Sequence, residues 1–195
     1  MKIKDLVDQI ISYSHNEDTP DTDLSAKALT WLNSAYHELL QENLAFLKHK
    51  MLTQVEVSLS DDFFELPKDF YLFEKIKLAN GQVISKEDKD CYSIEGDLVF
   101  LKNQKNQNLM FVYIPEFKQL TLDDSLSIMH ISSNYVQSLI WGALVWSSIY
   151  ERGVHTQNEL SLFEAKWNQA KQNYKVTLAT YSDQVLRTVP YQFIH

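Results

Sequence analysis

The hydrophobic pattern of this chain changes period twice, and this constrains its fold more than any other feature. Apolar residues recur at helical spacing over residues 3–48. They alternate or bunch in short runs over residues 54–114, and helical spacing returns over residues 132–182. A 3.6-residue period buries one stripe of a helix, whereas a two-residue period buries one face of a strand. The same residues cannot satisfy both. Helices from the two ends of the chain must therefore combine around an inserted β-structure. That is an α+β arrangement, not the strand–helix alternation of a doubly wound nucleotide-binding fold.

The individual elements follow from this pattern. Ile3, Leu6, Val7, Ile10 and Ile11 predict a short helix over residues 4–13. A polar loop over 14–23 ends at Thr22 or Asp23, either of which can cap the next helix. That helix is expected to run unbroken over 24–48. Ala28, Trp31, Leu32, Ala35, Leu39, Asn43, Phe46 and Leu47 form its buried face, and His37, Glu38, Gln41 and Glu42 form its wet side. Val55, Val57 and Leu59 alternate as a strand, and Asp61-Asp62 turns into a short strand ending at Pro67. Asn80-Gly81 and Glu95-Gly96-Asp97 mark two hairpins, because these residues tolerate positive φ. Leu109 to Ile114 is a nearly continuous apolar strand stopped by Pro115. Two helices follow. The first starts near Ser132, carries Val136, Leu139, Ile140, Ala143, Leu144, Ser147 and Ile149 to Tyr150, and stops at Gly153; it is apolar on nearly every side from Leu139 to Trp146. The second opens at Thr156 with Glu159 three residues on, a capping box. It carries Leu160, Phe163, Trp167, Ala170, Tyr174 and Leu178 to about Ser182.

The end of the chain breaks the pattern. Val185, Leu186, Val189, Pro190, Tyr191, Phe193 and Ile194 are apolar without helical spacing, and Pro190 biases Val189 toward extended backbone. Chain ends are ordinarily polar and frayed. The expectation is an extended docking tail over 183–195 that lies on its own domain or on a partner.

The chain has 195 residues, 45% of them hydrophobic, which suffices for one domain with appendages. No apolar run is long enough to span a bilayer, and the first residues lack the pattern of a signal peptide. The expectation is a protein made and kept in the cytosol, or one that leaves the cell by a route that needs no signal. A net charge of −8 argues against tight non-specific binding of nucleic acid. One cysteine, Cys91, excludes an intrachain disulfide and a Cys-rich metal site.

Catalytic signatures are weak. His37-Glu38-Leu39-Leu40-Gln41 has Gln41 where a zinc protease carries its second histidine. Asp61-Asp62 and Asp123-Asp124 read as turn residues. The four glycines form no phosphate loop. No catalytic residue, metal ligand or cofactor is expected. Trp141 and Trp146 lie five residues apart on one helix and cannot share a narrow face. One should point outward, which makes both candidates for a subunit interface.

Four strings carry a family resemblance. Leu29-Thr30-Trp31-Leu32-Asn33-Ser34-Ala35-Tyr36-His37-Glu38-Leu39 resembles a helix of the head-to-tail adaptor (connector, or head completion) proteins of tailed bacteriophages. Phe64-Glu65-Leu66-Pro67-Lys68-Asp69-Phe70 resembles their turn into the sheet. Tyr113-Ile114-Pro115 with Leu120-Thr121-Leu122-Asp123-Asp124 resembles their last strand and link. Leu139 to Ser147, with Gly142-Ala143, resembles their central apolar helix. The loops at 85–90 and 102–108 and the apolar tail depart from that family.

The resemblance implies a single adaptor domain over 1–182, with a helical core (3–48 and 132–182) and a β-module (52–115). It implies a structural virion protein and not an enzyme. Such proteins form a ring, usually a dodecamer, below the portal protein. The ring extends the DNA channel without sequence-specific binding and offers a platform to tail proteins; it makes no membrane contact. The tail would dock on the portal. Assembly would take place in the host cytoplasm. The competing expectations are another tail component, such as a stopper or tail terminator, and, remotely, a metal-dependent hydrolase using His37, Glu38 and a carboxylate pair.

Overall fold

The computed structural model describes residues 2–14, 23–59, 61–102, 107–151 and 155–187, with side chains through Thr180 apart from Gln107. The fold is α+β. The helices are α1 (Ile3–Tyr13), α2 (Leu24–Glu42), α3 (Leu44–Met51), α4 (Ser133–Val136), α5 (Leu139–Tyr150) and α6 (Gln157–Arg187). Between α3 and α4 lie seven strands: β1 (Thr53–Leu59), β2 (Phe63–Glu65), β3 (Phe70–Leu78), β4 (Val83–Ser85), β5 (Tyr92–Glu95), β6 (Leu98–Leu101) and β7 (Gln107–Pro115). The chain divides into two compact units, Met1–Leu47 with Lys118–His195, and Lys48–Phe117.

In the first unit, the stripe expected on α1 is buried at Ile3, Leu6, Val7 and Ile10. The backbone N–H of Lys2 donates to the Asp5 carboxylate (2.7 Å), which caps the first turn. Helix α2 buries Ala28, Trp31, Leu32, Ala35 and Leu39, as its pattern predicts. The expected single helix over 24–48 breaks at Asn43, however. Its buried side-chain amide donates to the Leu39 carbonyl (2.9 Å), and the Asn43 backbone carbonyl accepts from the N–H groups of Phe46 and Leu47, which starts α3. An asparagine amide competes with the helical ladder in this way, while the apolar stripe continues past it undisturbed.

The link before α4 is held from within the same unit. The Asn33 carboxamide accepts from Leu120 N–H (2.7 Å) and donates to the carbonyls of Leu120 and Leu29 (both 3.1 Å). Both ends of a buried amide are thus satisfied. Asp124 accepts from Thr121 N–H (2.9 Å), the turn role expected of Asp123-Asp124. Its carbonyl accepts from the first N–H of α1, on Ile3 (3.0 Å). The capping box of α6 forms as expected: Thr156 N–H donates to Glu159 Oε2 (2.8 Å), and Glu159 N–H to Thr156 Oγ1 (3.3 Å).

The second unit is a small sandwich of two antiparallel sheets, ordered β1-β7-β3-β4 and β2-β6-β5. Gly81 and Gly96 take φ of +86° and +60° in the two hairpins marked in the sequence. Phe64 and Val99 of the smaller sheet join Phe73, Ile76, Phe111 and Tyr113 of the larger one in a single buried cluster. The Phe64 and Phe111 rings meet edge-on at 5.1 Å, and Phe73 meets Tyr92 at 4.8 Å. Two of the family-like strings meet here. Tyr113 Oη donates to Asp69 Oδ1 (2.8 Å), and the Asp69 carbonyl accepts from Glu116 N–H (2.7 Å). The turn after Pro67 is therefore tied to the end of β7.

Candidate functional site

The chemistry-bearing residues of the helical unit converge on Glu38. Helix α5 brings Trp146, whose indole Nε1–H donates to Glu38 Oε2 (2.8 Å). Helix α6 brings Trp167, whose Nε1–H lies 3.3 Å from both carboxylate oxygens, and Lys171, whose ammonium donates to Oε1. Lys171 also donates to Glu42 (2.8 Å). Burial works to lower the Lys171 pKa, but its bonds to Glu38 and Glu42 outweigh burial and hold it above the ordinary lysine value. Glu38 is thus the half-buried hub joining α2, α5 and α6, and not part of a wet face as its sequence position suggested. The amphipathic pattern missed it because the side chain sits at the stripe's edge, where only the partner helices decide whether it meets water.

This arrangement bears on the hydrolase expectation. A carboxylate already accepting from two indoles and an ammonium is poorly placed to serve as a general base. The neighbouring His37 is half-buried. Burial pushes its pKa below the ordinary histidine value, opposed by a hydrogen bond with the Lys118 backbone, so the ring is neutral at pH 7. Ser147 and His155 lie 3.0 Å apart, a nucleophile–base distance. Ser147 is fully buried, however, and its hydroxyl sits 2.7 Å from the Leu144 carbonyl. Among the described residues, no three His, Cys, Asp or Glu side chains group as metal ligands, and no helix is long and apolar enough to cross a membrane.

Helix α5 is the packing centre. A Cβ on Gly142 would stand 2.8 Å from Ala35 Cβ and 2.9 Å from the Trp167 ring, so α2 and α6 both approach its backbone closely. The two tryptophans flank this crossing. Trp141 is half-buried between Tyr13 (5.5 Å) and Phe163 (5.9 Å), with Lys166 Nζ 3.8 Å from its ring centre. Trp146 is half-buried beside Tyr150 (5.9 Å) and Glu38. The sequence placed one of them pointing outward; in the structure both are half-buried, each packed on other residues of the helical unit. The more open apolar side chains of this unit are Val176 (64% exposed), Ile149 (61%) and Leu162 (51%).

The tail differs from its expected form. Helix α6 does not stop near Ser182 but continues to Arg187, so Val185 and Leu186 are helical and not extended. Nothing between Ser182 and Arg187 breaks a helix; the first residue with restricted backbone is Val189, before Pro190. Val189, Pro190, Tyr191, Phe193 and Ile194 lie outside the described residues. Neither a protein-family model nor a curated protein sequence matches the chain.

Proposed function

We propose that this chain is a structural assembly protein of a tailed-phage virion, a head-to-tail adaptor that joins a ring of copies beneath the portal. In this role it extends the DNA channel and carries tail proteins. The observation that carries the reading is the overrun of α6. Among the described residues, its last hydrogen bonds to another helix run from Tyr135 to Asn173 (3.2 Å) and Thr177 (2.7 Å), yet the helix continues to Arg187. At 1.5 Å per residue, that is roughly 15 Å of helix past Thr177, and the apolar segment 188–194 follows it in the sequence. An apolar segment that follows a long terminal helix in the sequence suits capture by a partner. Three further points support the reading: the element order expected of the family, the meeting of the turn after Pro67 with the end of β7, and the structural employment of Glu38, His37 and Ser147.

The test is co-expression with the portal protein of the phage that encodes the chain, followed by electron microscopy of the purified complex. The full chain gives a ring of added density below the portal. A chain ending at Thr180 keeps its helical circular dichroism but fails to bind. Unchanged portal affinity after truncation refutes tail docking, and no complex with the full chain refutes the adaptor role.

A further inference from the structure

The two outer faces of the β-sandwich are complementary in charge and in their arrangement of apolar residues. In the smaller sheet, Phe64 and Val99 point into the core, so the pleat turns their neighbours outward. The register sets Phe63 beside Phe100 and Phe100 beside Ser93, with Glu65 beside Leu98 and Leu98 beside Glu95 in the next row. The Phe63 and Phe100 rings are 5.7 Å apart, and Phe63 is 39% exposed. Leu98 therefore lies between two glutamates, and an aromatic pair lies above it. Asp61, Asp62 and Asp97 add three carboxylates at the rim, and residues 61–66 and 92–101 contain no Lys, Arg or His. Among the described residues, no cation pairs with Glu65 or Glu95; Glu95 meets only the Ser93 hydroxyl, at 3.4 Å.

The outer face of the larger sheet has the inverse pattern. Ile76, Phe111 and Tyr113 point into the core, so Lys75 and Lys77 point outward. Lys77 is paired with Met110 on β7 and Val83 on β4, and Lys75 with Val112 and Ser85. Val83 is 50% exposed, Met110 and both lysines are partly exposed, and Val112 is buried, so the open part of this face is the row of Met110, Lys77 and Val83 with the Lys75 head beside it. Here a cation lies between two apolar residues, where the first face has an apolar residue between two anions. Glu56 closes this strip on the β1 side.

We infer that the acidic face of one copy, Phe63, Phe100, Leu98, Glu65 and Glu95, docks on the Lys75–Lys77 strip of a second copy. Leu98 and the aromatic pair cover Met110 and Val83, while the lysines reach the two glutamates. The faces lie on opposite sides of one sandwich, so the contact is head-to-tail and leaves a free face at each end for the next copy. Such a contact closes into a ring or runs on as a filament; closure into a ring rests on the adaptor reading, and the contact itself does not. Nucleic acid does not suit the acidic face, because its phosphates are repelled by the carboxylates.

Sedimentation velocity of the full chain over a range of concentrations tests this, with two charge-reversed variants, E65K/E95K and K75E/K77E. The wild type self-associates, and added salt weakens it. Each variant alone associates roughly tenfold more weakly, since it carries like charges on both faces. Mixing the two variants one to one restores association, because each then offers the complement of the other. Circular dichroism checks that both are folded, and E65Q/E95Q, which removes charge without reversing it, gives an intermediate loss. Three results would overturn the inference: a wild type that stays monomeric throughout, single variants that associate like the wild type, or a folded mixture that does not recover. Portal-bound rings that form normally from E65K/E95K would also sink this contact while leaving the adaptor reading intact. A lysine-bearing tail protein lost from E65K/E95K, with the wild type monomeric, would assign the face to that protein instead.

Discussion

Replacing Glu38 with alanine should destabilise the helical unit more than its place at the edge of the apolar stripe would suggest. The substitution removes the acceptor of Trp146 Nε1 (2.8 Å), of Trp167 Nε1 (3.3 Å) and of the Lys171 ammonium, whose side chain is only 14% exposed. A hydrogen bond to a charged group contributes about 1.5–3 kcal/mol, and a stranded buried donor costs about 1–3 kcal/mol. These terms overlap, and Lys171 keeps Glu42 at 2.8 Å. The expected loss is therefore about 3 kcal/mol and not the sum of three bonds. For a chain of this size that is a fall of roughly 6–12 °C in the transition of the helical unit. Glu38→Gln keeps one acceptor oxygen and should lose about half as much. Lys171→Met leaves both indoles paired and should cost about 1 kcal/mol. Because the two residues share one bond, Glu38→Ala with Lys171→Met should cost less than the two single changes added together. Urea denaturation followed by tryptophan fluorescence reads this directly, since two of the four tryptophans sit on Glu38. A Glu38→Ala shift within about 0.5 kcal/mol of zero, the range of an ordinary surface change, would refute the hub.

Two further predictions concern the same unit. Gly142→Ala gains up to about 1 kcal/mol of helix propensity but forces a Cβ to 2.8 Å from Ala35 Cβ and 2.9 Å from the Trp167 ring, neither of which can swing away. Overpacking of about 1–3 kcal/mol should win, and a thermal midpoint above that of the wild type would show that α5 can shift at little cost. His37 is held neutral by burial, with its folded pKa below its unfolded value near 6.5. Below that value the unfolded chain takes up a proton that the folded chain resists, so this contribution is full above pH 6.5 and is lost as pH falls through the folded pKa. Urea midpoints should therefore drop less for His37→Gln than for the wild type between about pH 7.5 and pH 5, and parallel profiles would contradict the burial argument.

Local chemistry made much of this protein legible from its residues alone. The stripe of α1, the capping box of Thr156 and Glu159, the two glycine hairpins and the switch of period that inserts strands between helices each depend on neighbours a few positions apart. Short-range geometry decides such features, and the sequence records short-range geometry. The break at Asn43 and the overrun of α6 past Ser182 were not legible. In the first case a buried amide turns against the ladder inside an uninterrupted apolar stripe; in the second, hydrophobic spacing fades before helical backbone does.

Only tertiary structure decided what the long-range partners do. Glu38 reads as a solvated residue until α5 and α6 bring two indoles and an ammonium to it from more than 100 positions away. Trp141 and Trp146 read as alternatives, one in and one out, until Phe163, Tyr13 and Glu38 give each a partner. The opposition of Glu65 and Glu95 to Lys75 and Lys77 across one sandwich exists only once strand register sends each side chain to its face. Composition lists these charges, but which of them share a surface depends on pairings between strands that are distant in the chain.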